Sequence, residues 1–132
     1  MNKFLLSLAF VAISSSAYAA AGTETLPSGV TVTQIKPGTG AQPVATDTVT
    51  VNYRGTLANG TEFDSSYKRG TPASFPLGQV VPCWTQGLQK MKVGETARLV
   101  CPPATAYGER GVGPIPPNST LTFEVELLKI GN

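Results

Sequence analysis

Val80-Val81-Pro82-Cys83-Trp84 holds the chain's single tryptophan and one of its two cysteines. It stands where irregular, Pro/Gly-rich sequence gives way to Thr85-Gln86-Gly87-Leu88-Gln89-Lys90-Met91. That change of pattern predicts a short helix over residues 82–91. A large aromatic at the start of a short helix must be covered. Two readings of Trp84 fit: the largest residue of an ordinary core, or the floor of a shallow apolar pocket.

Working outward, strands on both sides are available to cover it. Upstream, Val30-Thr31-Val32-Thr33-Gln34-Ile35 alternates at period 2, and Thr48-Val49-Thr50-Val51-Asn52-Tyr53-Arg54-Gly55-Thr56-Leu57 does so more cleanly. Val49, Val51 and Tyr53 share one face of that second strand. Asn59-Gly60 follows, a strong hairpin signal because both residues tolerate positive φ. Glu62-Phe63-Asp64 is the returning arm. Residues 67–72 read as a basic turn, and Phe75-Pro76-Leu77-Gly78 as an edge strand or loop, since Pro76 cannot donate to a central ladder.

Downstream, residues 95–101 read as a strand stopped by Pro102-Pro103. Residues 104–119 form a long Gly/Pro-rich loop around Tyr107, and a loop of that length points to function. The last strand, residues 120–130, turns Leu121, Phe123, Val125 and Leu127 to one side. The pattern predicts an α+β domain: a curved antiparallel sheet facing one short helix.

The chain has 132 residues, but its start reads as a targeting segment. Lys3 precedes an apolar run over residues 4–13, then Ser14-Ser15-Ser16 and Ala17-Tyr18-Ala19. This is the pattern of a secretory signal peptide over residues 1–19, cleaved after Ala19 or one or two residues later. The apolar run is about half the roughly 20 residues a spanning helix needs, and no cysteine lies near the cut to carry a lipid anchor. Residues 20–26 are small and polar and predict a disordered leader.

Removing Lys3 from the ten basic residues leaves nine against eight acidic ones. So near a balance gives no support for nucleic acid or an anionic membrane as partner. The sequence has no histidine, which removes the usual general base and the commonest metal ligand. The glycines between Gly108 and Gly113 lack the Lys-Ser/Thr of a phosphate loop. Cys83 and Cys101 are a disulfide candidate in an exported protein; two buried thiols are the other reading.

Side-chain phase brings Tyr53, Phe63, Trp84 and Phe123 to inward positions, with Tyr107 in the loop. Together they suit an aromatic-lined cavity for a small apolar group; taken singly, each also fits core packing. Asp64 follows Phe63 where the strand ends. It fits either a polar contact at the pocket rim or a turn residue bonding the backbone of Ser65-Ser66. No second carboxylate and no Ser-His pair accompanies it, so hydrolysis and acyl transfer lack players.

Six blocks in order carry a resemblance. They are Val51-Asn52-Tyr53-Arg54-Gly55-Thr56-Leu57, Asn59-Gly60-Thr61-Glu62-Phe63-Asp64-Ser65-Ser66, Val80-Val81-Pro82-Cys83-Trp84, Gly87-Leu88-Gln89-Lys90-Met91-Lys92-Val93-Gly94, Ala106-Tyr107-Gly108 and Ile115-Pro116-Pro117-Asn118-Ser119-Thr120-Leu121. The chain resembles the FKBP-type peptidyl-prolyl cis-trans isomerases from about residue 44 onward. The resemblance implies a half-barrel sheet wrapped around one short helix. It also implies a domain over residues 44–132, preceded by residues 20–43 as a leader with the first strand.

It further implies the site. Trp84 is the pocket floor under the substrate proline. Tyr53, Phe63, Val80, Val81 and Phe123 are walls, and Phe75 and Ile115 the rim. Asp64 and the Tyr107 hydroxyl contact the substrate backbone, and the Val81 N–H binds a substrate carbonyl. Asp64, Trp84, Tyr107 and Phe123 are the expected catalytic residues. No metal and no cofactor is expected. Expected partners are proline-containing polypeptides, with macrolide inhibitors as a further ligand class. Export places the chain in the periplasm or outside the cell, as a monomer without a membrane anchor. The sequence departs from the family at Cys83, where many relatives have glycine, and at Ala73, where many have a second aromatic. The segments 78–84 and 107–116 are shorter than in small cytosolic members. A second functional class also fits the pocket: a proline-peptide-binding module or holding chaperone with little isomerase activity.

Overall fold

The computed structural model describes residues 22–131; the predicted signal peptide, residues 1–19, lies outside them, as do residues 20, 21 and 132. Seven strands form one antiparallel sheet: β1 (Thr23–Thr25), β2 (Thr31–Lys36), β3 (Thr48–Leu57), β4 (Glu62–Ser65), β5 (Ala73–Pro76), β6 (Thr96–Cys101) and β7 (Leu121–Ile130). Among the described residues, two α-helices, α1 (Ser66–Arg69) and α2 (Pro82–Leu88), accompany it. The order across the sheet is β1-β2-β6-β7-β3-β4, and β5 also pairs with β3. The α+β architecture expected from the pattern, a sheet around a short helix, is the one observed.

β3 and β7 are the centre, and their alternation explains why. Val49, Val51 and Tyr53 of β3 and Leu121, Phe123, Val125 and Leu127 of β7 are all buried, while the residues between them face outward. Each fully buried Val or Leu contributes about 1.5–3 kcal/mol of transfer free energy, enough to hold the register against a one-residue slip. The Asn59-Gly60 hairpin forms as the sequence predicts. Gly60 has φ +90°, the Leu57 N–H donates to Thr61 O at 2.8 Å, and the Asn59 side chain accepts from the Thr61 N–H at 2.9 Å.

The outgoing edge of β3 is shared. β4 covers Arg54 to Thr56, the chain leaves through α1, and β5 returns to cover Thr48 to Val51. In β4, Glu62 faces Thr56 and Asp64 faces Gly55, so Phe63 is an extra residue in a β-bulge. Gly55 is what admits that bulge. A Cβ there would meet Phe63 Cζ at 2.6 Å and Phe123 Cε1 at 2.9 Å. The rings lie where a side chain would be. Gly55→Ala is therefore expected to destabilise the fold by about 1–3 kcal/mol through overpacking. Urea unfolding followed by far-UV circular dichroism would show a lower midpoint at unchanged slope.

The basic stretch read as a turn contains one helical turn, α1. Ser65 caps it, accepting from the Lys68 N–H at 3.3 Å, and Gly70 ends it at φ +76°. A four-residue helix is too short to leave a period in the sequence. α2 is shorter than predicted, ending at Leu88. The Lys90 N–H turns back to Gly87 O at 3.0 Å and the Met91 N–H to Leu88 O at 3.1 Å, so the last residues form tight turns. Pro82 suits the first turn because its missing N–H would have had no intrahelical partner. Cys83, Trp84, Gly87 and Leu88 face the sheet. Gly87 sets the approach: a Cβ there would touch both Leu99 methyl carbons at 3.0 Å.

A disulfide joins Cys83 of α2 to Cys101 at the end of β6, with Cα atoms 5.6 Å apart and both residues fully buried. Of the two readings left open for these cysteines, the structure takes the bonded one.

One sequence expectation needs correction. The leader expected to be disordered is ordered over residues 22–26. Thr23–Thr25 pairs with β2, and Leu26, 7 % exposed, belongs to the core. Polar side chains concealed the strand because its hydrogen bonds come from the backbone and its single anchor is Leu26. Ile35 lies on the outward phase that Thr31 and Thr33 share, and it is exposed. The ladder to β6 skips it between Gln34 and Lys36, a β-bulge. No helix among the described residues is long and apolar enough to cross a membrane.

Candidate active site

Trp84 sits at the centre of an aromatic cluster, 4 % exposed. Three rings stand nearly perpendicular to its indole: Tyr53 at 5.2 Å and 88°, Phe75 at 5.3 Å and 83°, and Phe123 at 5.3 Å and 87°. Edge-to-face contacts at these separations are favourable for aromatic quadrupoles. One plane with three upright neighbours makes a floor with walls. The cavity above it is about 460 Å³ and is lined by Tyr53, Asp64, Phe75, Gln79, Val80, Val81, Trp84, Tyr107 and Phe123.

Each wall comes from a different element. Tyr53 is on β3, Phe75 on β5 and Phe123 on β7, all on inward phases of their strands. The Val80-Val81 wall is held by a turn of 3-10 helix, Leu77–Gln79, whose Leu77 carbonyl accepts from the Thr85 hydroxyl at 2.6 Å. The Val81 N–H, just before α2, donates to no backbone carbonyl among the described residues. Tyr107 is 37 % exposed on the long loop. That loop is tied by its own backbone: the Asn118 N–H donates to Gly108 O at 2.7 Å, and Val112 bridges Ile115. The Trp84 Nε1 is buried with no hydrogen-bond partner among the described residues. Such an orphan costs about 1–3 kcal/mol, a local price accepted where ring placement matters more than polar satisfaction.

The polar side of the cavity is a three-residue network. The Tyr53 hydroxyl donates to Asp64 Oδ2 at 2.5 Å. Arg69 donates from Nη1 to Asp64 Oδ1 at 2.6 Å and from Nη2 to the Tyr53 hydroxyl at 3.0 Å. Its guanidinium carbon is 5.7 Å from the Tyr53 ring centre. Asp64 Oδ1 also accepts from the Ser65 N–H at 2.9 Å. Both readings of Asp64 are thus satisfied together: it bonds the turn and borders the cavity. Both its oxygens are engaged inside the protein, and Oδ2 holds the Tyr53 hydroxyl in place.

Burial raises the Tyr53 hydroxyl above the usual tyrosine range, and the hydrogen bond to the Asp64 carboxylate adds to it. For Asp64, burial acts upward, but the hydrogen bonds from Tyr53 and Arg69 outweigh it and hold the carboxyl below its ordinary 3.8. A carboxylate with a lowered folded-state value stabilises the fold above its unfolded value, and that contribution disappears as pH falls through the folded value. The stability difference between the wild type and Asp64→Asn is therefore expected to be full near neutral pH. It should shrink only below about pH 3.8, as read by thermal melts at stepped pH. A difference unchanged down to pH 2 would contradict the network.

Of the residues expected at the site, the structure brings together Tyr53, Asp64, Phe75, Val80, Val81, Trp84, Tyr107 and Phe123. Two lie elsewhere. Phe63 backs the cavity from outside, edge-on to Phe123 at 5.6 Å and 85°, because the bulge at Gly55 swings it behind that ring. Ile115 is 6 % exposed within the core, fixed by its bridge to Val112. Gln79 and Arg69 were not anticipated. Arg69 reaches Asp64 only because α1 folds back beside β4, and nothing in the spacing of the two residues announces that.

A family model described as FKBP-type peptidyl-prolyl cis-trans isomerase matches residues 39–128. An FKBP-type isomerase, FkpA of Aeromonas hydrophila, is 53 % identical over 109 residues, covering 83 % of this chain and 41 % of its own length. This chain thus spans about two fifths of that relative. FK506-binding protein 1 of Dictyostelium discoideum is 55 % identical over 103 residues, covering 76 % of this chain and 96 % of its own length. The crystal structure of FkpA from Escherichia coli superposes with a TM-score of 0.81 at 41 % identity, over 96 % of this chain and 70 % of the other. A match through nearly the whole sheet, at identities far above those needed to fix a fold, leaves one assignment: the chain belongs to the FKBP-type peptidyl-prolyl cis-trans isomerase family.

Proposed function

We propose that this chain accelerates cis–trans rotation about X-Pro bonds in exported polypeptides. The observation that carries the reading is the Trp84 floor with Tyr53, Phe75 and Phe123 upright around it. The X-Pro bond rotates over a barrier of about 18–20 kcal/mol, in tens to hundreds of seconds unaided. At the transition state the amide is twisted, its resonance is lost and its carbonyl is less polar. A cavity that grips the proline ring against Trp84 and keeps water away favours that form over the planar ones by differential binding. The Val81 N–H and the Tyr107 hydroxyl are the donors suited to hold flanking carbonyls. The Tyr53–Asp64–Arg69 network keeps one wall from yielding. No bond is broken, which agrees with a sequence that offers no nucleophile beside a base.

The test is refolding of a denatured protein whose slow phase is set by an X-Pro bond. Catalytic amounts of the chain are expected to shorten that phase in proportion to concentration. An unchanged phase with fully folded chain would overturn the proposal. Macrolides of the FK506 class would compete for the same cavity. Export rests on the signal-peptide pattern of residues 1–19 and agrees with a disulfide, which belongs to oxidising compartments. Cell fractionation with N-terminal sequencing is expected to find a mature chain starting near Ala20 outside the cytoplasm. A cytoplasmic chain retaining Met1 would contradict it.

A further inference from the structure

A second, smaller cleft of about 270 Å³ adjoins the cavity and shares Asp64 with it. Phe63 supplies its apolar lining, and Glu62, Ser65, Lys68 and Arg69 line the rest. Because the two share Asp64, this cleft is the next surface beyond the cavity on that side. Extended chain advances about 3.3–3.6 Å per residue, so two or three residues cover about 7–11 Å.

Of the four charged side chains, Glu62 is the least exposed at 19 % and Lys68 the most at 76 %, with Asp64 at 39 % and Arg69 at 47 % between them. Glu62 is shared between two cations: Arg54 bonds it through Nε, and Lys68 through Nζ at 3.0 Å. On its far side, Arg54 stands in register with Glu124 of β7. Asp64 has both oxygens engaged by Tyr53, Arg69 and the Ser65 N–H. Every oxygen of these two carboxylates thus already carries a partner within the protein. The group most open to an incoming side chain is the Lys68 ammonium, which keeps donors free after its bond to Glu62.

We infer that this cleft selects clients carrying an acidic residue two or three positions from the proline, with Lys68 as the specificity-determining residue. The inference rests on the proposed isomerase reading and names a class of substrate for it. Lys68 touches no part of the aromatic cavity, so it acts on binding of the flank and leaves the rotation step alone. An exposed ion pair of this kind changes affinity by about two- to fivefold at low salt, and less as salt screens it.

The test uses proline peptides with Glu, Gln or Lys placed two or three residues before, or after, the proline. Peptide affinity is read by NMR titration, and cis–trans exchange in the same samples. On one side of the proline, the Glu peptide is expected to bind about two- to fivefold tighter than the Gln peptide, with an unchanged exchange rate at saturation. Lys68→Gln should abolish the difference and Lys68→Glu should turn it toward the Lys peptide. Equal affinity of Glu and Gln peptides on both sides would overturn the inference, as would a preference that survives Lys68→Glu. Peptides that bind with the charge preference but exchange no faster would instead overturn the isomerase reading.

Discussion

Phe123→Ala is expected to lower kcat/KM for X-Pro isomerisation by about tenfold to a hundredfold. The estimate follows from the ring's place in the cavity. Phe123 stands at 87° to Trp84 and lines the space the proline would enter. A phenyl group removed from water is worth about 1.5–3 kcal/mol, and each 1.36 kcal/mol is tenfold in rate. The same ring packs on Phe63 and covers Gly55, so truncation also costs about 3–5 kcal/mol of stability. Phe123→Leu separates the effects, because it keeps apolar volume while removing the flat wall. It is expected to stay folded at the assay temperature and still lose activity, by a smaller factor. A folded Phe123→Ala chain with wild-type kcat/KM would show that the cavity is not where rotation occurs.

Reducing the Cys83–Cys101 bond is expected to lower stability by about 3 kcal/mol, which shifts Tm by on the order of 10 °C. The bond spans 18 residues of sequence. Opening it returns loop freedom to the unfolded chain, and this is the main source of the figure in the chain-entropy account. Both cysteines are fully buried, so the reductant acts through opening of the fold, and comparison requires reduction in denaturant followed by refolding. Isomerase activity below the lowered Tm should fall far less than in Phe123→Ala. Trp84 is held by the rings of Tyr53, Phe75 and Phe123, and none of these contacts involves the two sulfur atoms. Thiol titration of denatured, unreduced protein should find no free thiol. Two free thiols, or no change of Tm on reduction, would contradict the account.

Residues with regular phase announced themselves in the sequence. Val49, Val51 and Tyr53, and Leu121 to Leu127 at alternate positions, face inward because period-2 alternation has one physical meaning. Trp84 was ambiguous for a physical reason: a pocket floor and a core residue are buried alike, and only the three perpendicular rings tell them apart. What the pattern concealed were irregularities. The bulge that puts Phe63 behind Phe123 breaks the phase on which its inward placement rests. Arg69 was hidden because its link to Asp64 depends on a helix of one turn. Thr23–Thr25 was hidden because its pairing uses backbone groups that every polar sequence also possesses.

The central claim is that the Trp84 cavity lowers the barrier to rotation without any covalent step. NMR exchange spectroscopy on a short X-Pro peptide at equilibrium tests it without a protease or a refolding protein. With catalytic amounts of the oxidised chain, cross-peaks between cis and trans proline resonances are expected within seconds, at unchanged cis and trans populations, and they should vanish when an FK506-class macrolide fills the cavity. A peptide that shifts the Trp84 and Phe123 resonances on binding, yet shows no exchange faster than in buffer, would contradict it.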